Sequence, residues 1–451
     1  MFEVYWLPSQ KQFPVHTLKE LISGQLGQVK SLKISENLDY FPREIFSLVD
    51  TLEVLDLSGN SISALPDDFG LLKKLRILFC SDNQFKELPS VLGDCPLLEI
   101  VGFKSNQIES IAKGALNPNL KWLILTNNRL TELPAEIGYC LRMQKLMLAG
   151  NQLSVLPVEL QSCQNLGLLR ISANRLQFLP GWLLKMPKLA WIAFSGNDFN
   201  RNPALVSLPL IPLDNLTFGA KLGEGASGTI YKTASNDNTT VAAKIFKGSV
   251  TSDGYPIDEM NAYIAAGTHF GLVKLLGQIV LPEESKQGLI MELIPDRFYN
   301  LGNPPSLETC TRDTFTDDCK LTLVQVLKIA YTIASAGAHL HSRGIVHGDL
   351  YAHNILIDAE GNTLFGDFGA ASIYMGSDER TALGLEVIEV LAYGYLLEDL
   401  QQICIHPHEL ESLITYQQLL QKCLSNIPSH RPTFRQIVSA LEKMDISLTE
   451  N

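Results

Sequence analysis

In "HGDLYAHNIL", residues 347–356, the carboxylate of Asp349 stands five residues before the amide of Asn354, and a second carboxylate, Asp367, follows in "GDFG". A carboxylate in such a place can take or orient the proton of an attacking hydroxyl. An amide oxygen and a second carboxylate can hold a hard divalent cation against phosphate oxygens. Upstream, "KLGEGASGTIYKT" (221–233) sets Gly223, Gly225 and Gly228 just ahead of Ile230. Glycines let backbone N–H groups come close to phosphates. Lys244, at the centre of the alternating stretch "VAAKIF", is a cation placed to reach the α and β phosphates of a nucleotide. Together these residues describe phosphoryl transfer from a nucleotide.

The elements around them decide between readings. A Gly-x-Gly-x-x-Gly run also opens dinucleotide-binding folds, where a helix follows the glycines directly. Here two alternating strands around "SNDNT" read better as a hairpin that carries Lys244. "DEMNAYIAAG" reads as a helix, with Glu259 rather than Asp258 as the ion-pair partner of Lys244. "LIMELIP" (289–295) reads as a buried strand entering a hinge. Met291 would lie beside the adenine, with the backbone of Glu292 and Leu293 bonding its edge. "VQVLKIAYTIASAGAHLHSRG" is an amphipathic helix leading to Asp349, and "ILID" with "TLFGDFG" is a hairpin that delivers Asp367.

In this order and at these spacings, region 214–445 resembles the eukaryotic-type protein kinase family along its whole length. "CLSNIPSHRPTF" (423–434) matches a late element of that family. The resemblance implies an α+β two-lobed protein kinase fold within residues 213–451, with an N-lobe at about 213–292 and a C-lobe at about 296–445. It implies ATP and Mg as cofactors. Asp349, Lys244 and Glu259 are then catalytic; Gly223, Gly225, Gly228, Ile230, Lys244, Met291, Glu292 and Leu293 bind ATP; Asn354 and Asp367 bind the metal. The chain also departs from the family. Gly348 replaces an Arg that gathers an activation-segment phosphate in many relatives, and Tyr351 replaces a Lys that steadies the γ-phosphate. The activation segment is shortened and lacks Ala-Pro-Glu. Only about 20 residues separate Asp367 from the helix "EVLAYGYLLEDL", in which Glu389 replaces an Asp. Arg431 therefore lacks its usual partner, for which Glu386 is a substitute. The insert "DRFYNLGNPPSLETCTRDTFTDDC" (296–319) either roofs the acceptor side or is a plain loop.

The first half is a repeat. "LEVLDLSGNSISALP", "LRILFCSDNQFKELP" and "LKWLILTNNRLTELP" share one pattern, and Asn37, Asn60, Asn83, Asn106, Asn128, Asn151, Asn174 and Asn197 recur every 23 residues with one gap of 22. Each unit would be a short strand plus a return segment that buries its apolar face only by stacking on its neighbours. The asparagines would form a ladder satisfying backbone groups, and each Leu-Pro step would begin the convex segment. This half resembles the intracellular class of leucine-rich repeats, an α/β solenoid or horseshoe, here residues 1–212 with caps at 1–28 and 202–212. The outward strand positions include Ile77, Phe79, Ile100, Trp122, Ile124, Met147 and Trp191. This apolar concave row is expected in solvent as a surface for a protein partner, or for docking of the chain's own kinase domain.

Composition narrows the classes. Net charge is −12, and it is uneven: Lys plus Arg against Asp plus Glu is 20 to 19 for residues 1–213 and 16 to 29 for the remainder. Such a surface does not recruit nucleic acid by charge. The first residues lack the basic-then-apolar pattern of a signal peptide, and no uninterrupted apolar run approaches a membrane span. Cys95, Cys140 and Cys163 recur in phase with the repeat, which suits packing rather than disulfides and a reducing cytoplasmic setting. The reading is an ATP- and Mg-dependent protein kinase, acting on Ser/Thr or on itself and positioned by its repeats. The alternatives are a kinase-like scaffold, or a small-molecule phosphotransferase with the same loop.

Overall fold

The computed structural model describes residues 14–200, 208–225, 227–235, 239–247, 250–280, 287–406, 408 and 413–444. The chain divides into two units. One holds Gln10–Lys188 with Asn197–Phe199, and the other holds Leu189–Gly196 with the chain from Asn200 onward. The last repeat strand, Trp191–Ala193, therefore groups with the second unit rather than with the repeats that precede it in sequence.

In the repeat unit, three-residue strands pair in parallel and in register: Ser31–Lys33, Val54–Asp56, Ile77–Phe79, Ile100–Gly102, Trp122–Ile124, Lys145–Met147 and Leu168–Arg170. The central residue of each, such as Leu55, Leu78, Leu123 and Leu146, points into the core and is wholly buried. Return segments are short 3-10 turns. Pro66, Pro89, Pro134 and Pro157 each stand immediately before one, in extended conformation. Proline fixes φ at that step and lacks the N–H that the first turn would leave unpaired.

The asparagine ladder is present. Asn151 Oδ1 accepts from Leu130 N at 3.0 Å, while its Nδ2 donates to Leu125 O and Leu148 O at 2.9 Å. Asn60, Asn128 and Asn174 bridge neighbouring repeats in the same way. The thiols of Cys95, Cys140 and Cys163 are buried against carbonyls of the preceding repeat. Burial pushes them up to about 11, about 12 and about 11, so they are unreactive packing groups. Part of the N-terminal cap, residues 1–13, lies outside the described residues. The remainder forms helix Leu18–Ile22, closed by a Thr17–Glu20 capping box.

The concave row differs from expectation. Phe79, Ile100, Trp122, Ile124, Met147 and Trp191 are buried rather than solvent-facing, and only Ile77 is partly exposed. Within the repeats, large side chains at matching positions lie across their neighbours. A Cβ on Gly102 would come 2.6 Å from the Phe79 ring. The Trp122 indole N–H points at Met147 Sδ at 3.3 Å, and the Lys145 ammonium sits 4.6 Å from the Trp122 ring centre.

The second unit has two lobes. Its first lobe is a six-stranded sheet in the order Leu210–Pro212, Leu275–Val280, Gly288–Glu292, Thr240–Phe246, Gly228–Ser235, Leu216–Glu224. All pairings are antiparallel except that of Leu210–Pro212 with Leu275–Val280. Residues expected to close the repeats thus extend this sheet at its edge; residues 202–207 of that segment lie outside the described residues. The expected turn at 235–239 also lies outside them in part, but the hairpin that it joins is present. Helix Pro256–Ala266 starts on proline and stops before Gly267, whose φ is +66°.

The second lobe is built around helix Leu323–Ser342. That helix is long and apolar enough to cross a membrane, but over half of it is buried inside the unit. Helix Phe434–Leu441, capped by Thr433, packs Phe434 onto Gly337, where a Cβ would come 2.8 Å from the ring. Helix Glu379–Ile403 is longer than "EVLAYGYLLEDL". It begins ten residues earlier, at an Asp378 cap whose carboxylate accepts from Thr381 N.

Candidate active site

The glycine hairpin, the lysine strand and the segment after Gly288–Glu292 enclose a cleft of about 880 Å³, solvent at its mouth included. Gly225, Gly228, Ile230, Lys244, Met291, Glu292, Leu293 and Asp367 all line it. Gly223 does not; it pairs with Ile230 across the hairpin. Leu222, Ala242, Tyr263, Val273 and Asp296 also line the cleft and were not singled out in the sequence. Ala242 could have been found, because it lies two residues before Lys244 on the same strand face. Tyr263 lacked any motif.

Lys244 stands opposite Ile230 on one neighbouring strand and Leu289 on the other, which fixes its stem. Its ammonium pairs with Glu259, on the first turns of helix Pro256–Ala266. Burial favours the neutral form of Glu259, and the adjoining ammonium opposes it. The neighbouring Asp258 carboxylate is buried without a hydrogen-bond partner at Oδ2, and burial pushes it up to about 6. The structure thus brings Glu259, not Asp258, to Lys244.

On the other side, Asn354 Nδ2 donates to Asp349 Oδ2 at 2.8 Å and to Asp349 O at 3.0 Å. The nitrogen end of the amide is engaged, which leaves its oxygen as the ligating atom. Asp367 follows strand Thr363–Phe365 and has φ +55°, a left-handed conformation that non-glycine residues adopt at a cost. His347 is fully buried, stacked on Phe365 at 3.8 Å, with Nε2 2.9 Å from Gly366 O. Burial lowers its pKa. A carbonyl only accepts, so the neutral ring carries its proton on Nε2. Tyr263 packs on Phe368 at 4.1 Å.

The loop is anchored from below. Glu389 Oε1 accepts from Gly348 N at 2.7 Å, and Oε2 lies 2.7 Å from His341 Nε2. Burial alone would raise Glu389; the His341 bond and charge, with His347 and Gly348 N, bring it below its ordinary value. The longer glutamate therefore reaches the loop where an aspartate was expected. The insert packs on this lobe. Tyr299–Asn300 pairs with Ile355–Ile357, Asp313 Oδ1 lies 2.7 Å from His353 Nδ1, and Arg312 binds Glu398 and Asp399. It braces the catalytic loop through His353. Glu386 is not placed as the sequence suggested. It accepts from the Tyr374 hydroxyl at 3.0 Å, while Arg431 donates to Val387 O and Ser425 O.

Residues 216–390 match the family model described as protein kinase domain, and residues 51–72 and 119–140 match that described as leucine rich repeat. Among curated proteins the chain is similar to fibroblast growth factor receptor 1 of Xenopus laevis, 24% identical over 53% of this chain and 36% of that protein. It is similar to the same receptor of Pleurodeles waltl at 24% identity, over 53% of this chain and 35% of that protein. The chain thus spans about a third of the length of these relatives. A solved leucine-rich-repeat protein of Leptospira interrogans aligns at 23% identity over 41% of this chain and 54% of that one, with a TM-score of 0.36. The matched segments, the cleft and the strand order agree: this chain carries leucine-rich repeats followed by a protein kinase domain.

Proposed function

We propose that the chain transfers the γ-phosphoryl group of ATP to a protein hydroxyl in an Mg-dependent reaction. The observation that carries this reading is the assembled set: Lys244 paired with Glu259, Asp367 in the same cleft, and Asn354 bonded to Asp349. A scaffold needs none of these groups, and charges held close together in a partly buried cleft carry a desolvation cost.

The donor set suits Mg, which prefers hard oxygen ligands, here the Asn354 amide oxygen and the Asp367 carboxylate. Bound there with the nucleotide, the ion would neutralise charge on the phosphates. Two protein oxygens are few for such an ion, so metal and nucleotide should bind together. Lys244, held by Glu259, receives the α and β phosphates, and Met291 with the Glu292–Leu293 backbone receives the adenine. Asp349 takes the proton of the acceptor hydroxyl. Tyr351 carries no cation and is buried and stacked, so charge compensation at the γ-phosphate would fall to Lys244 and the ion. The acceptor is a Ser or Thr hydroxyl, of a partner or of the chain itself. The repeats supply protein recognition, and the buried thiols suit a reducing cytoplasm.

The test is thermal stabilisation by ATP. It should need Mg, and Asp367→Ala should remove the Mg-dependent part. Equal stabilisation in chelator and in Mg would refute the metal assignment.

A further inference from the structure

Gly348 and Tyr351 are the two departures in the catalytic loop, and both touch the same segment of chain. The Trp191 indole stacks on the Tyr351 ring with centroids 4.3 Å apart and planes within 5°. Its other neighbour is Tyr395, at 5.5 Å. The indole N–H donates to Leu350 O at 3.0 Å. Gly348 has φ +73°, and a Cβ there would come 2.4 Å from Ile192 O and 2.8 Å from Ala370 O. No L-residue fits that space, an arginine least of all. Further along the strand, Phe194 N donates to Ser372 Oγ at 2.9 Å, and Ser195 Oγ donates to Ala371 O at 2.8 Å.

We propose that the segment Trp191–Ser195 is a built-in brace that positions the catalytic loop and the activation segment, with Trp191 as its principal positioning residue. The proposal rests on the kinase reading for its catalytic consequence, but not for its structural one. In the family that the chain resembles, an arginine at position 348 would gather a phosphate from the activation segment. Here a repeat strand fills that space and holds both pieces without a phosphate. Two hydroxyls of the activation segment agree, while Ser377 and Thr381 are partly exposed. Ser372 is wholly buried in its bond to the brace, and Tyr374 is buried with its hydroxyl on Glu386, so neither is open to modification. The glycine at 348 and the aromatic at 351 are then adaptations to the brace rather than losses.

The experiment uses the full chain with Trp191→Ala, Trp191→Phe, Ser195→Ala and Gly348→Ala. Hydrogen exchange is the first readout. The alanine variants at 191 and 348 should speed exchange severalfold in peptides covering 348–354 and 370–374, and leave 240–246 and 288–292 unchanged. Ser195→Ala, which removes one hydroxyl and should fold, should raise exchange at 370–374 alone. The second readout is turnover with labelled ATP. Trp191→Ala should lower kcat by about 10- to 100-fold, as misplacement by an ångström can, with KM for ATP changed less than about twofold. Trp191→Phe should restore most of it, because the stack survives. Combining Trp191→Ala with Gly348→Ala should cost little more than either alone, since both break one contact. Unchanged exchange in the loop of folded Trp191→Ala and Ser195→Ala, or an equal change across both lobes, overturns the brace. A wild-type chain without turnover but with the exchange pattern above overturns the kinase reading and leaves the brace standing.

Discussion

At the residue scale, the candidate site groups are legible because chemistry restricts such roles to few residue types. Asp349, Asn354, Asp367 and Lys244 could be read from spacing alone. The structure puts Lys244 and Asp367 in one cleft, bonds Asn354 to Asp349, and ties Asn354 O to Gly366 N, next to Asp367. What spacing could not show is which of two adjacent carboxylates turns inward to the lysine. Asp258 is the informative loser. Burial pushes its carboxyl up from the ordinary 3.8 to about 6. The folded chain therefore binds more protons than the unfolded one between these values. Stability on this account is full below pH 4 and is lost as pH rises through 6. Asp258→Asn removes the charge and keeps the shape. It should raise stability above pH 7 by on the order of 2 kcal/mol and change little at pH 4. Urea midpoints at the two pH values measure this, and equal gains at both would show that Asp258 is not the titrating group.

At the element scale, the repeat strands, their turns and the kinase elements were readable, because each carries a periodic apolar face or a marked residue. Three features were not. The start of helix Glu379–Ile403 hid because "ERTALGLEV" holds no break and the recognisable motif begins only at Glu389. Strand Leu210–Pro212 read as the closing cap of the repeats, since its partner lies 68 residues further on. Trp191 obeys the repeat phase, and phase says nothing of what stacks against the ring. The ladder, by contrast, was fully expected and gives a clean stability test. Asn151 is buried and satisfies Leu130 N, Leu125 O and Leu148 O. Asn151→Ala should cost about 2–4 kcal/mol, because buried backbone groups lose partners that water cannot replace. A fall in the urea midpoint at constant slope would register it. A cost below about 0.5 kcal/mol would mean that the ladder follows stacking rather than stabilising it.

For the whole molecule, the proposed phosphotransfer centre is held together without a phosphate. The Lys244–Glu259 ion pair is formed, Asp367 lines the cleft, and the loop that carries Asp349 and Asn354 is tied by Glu389, Asp313 and Trp191. The negative surplus lies in residues 214–451, so nucleotide binding there must rely on local groups rather than on the overall field. The most direct test compares wild type with Asp349→Asn in a single-turnover assay with labelled ATP and Mg, using the chain itself and peptide pools as acceptors. The substitution keeps shape but removes the base, so the loss should fall on the chemical step. We expect label transfer to protein by the wild type, a loss of at least about 100-fold in Asp349→Asn, and ATP affinity within about twofold of wild type. Transfer by Asp349→Asn at the wild-type rate, or label appearing only on small molecules, would contradict the account.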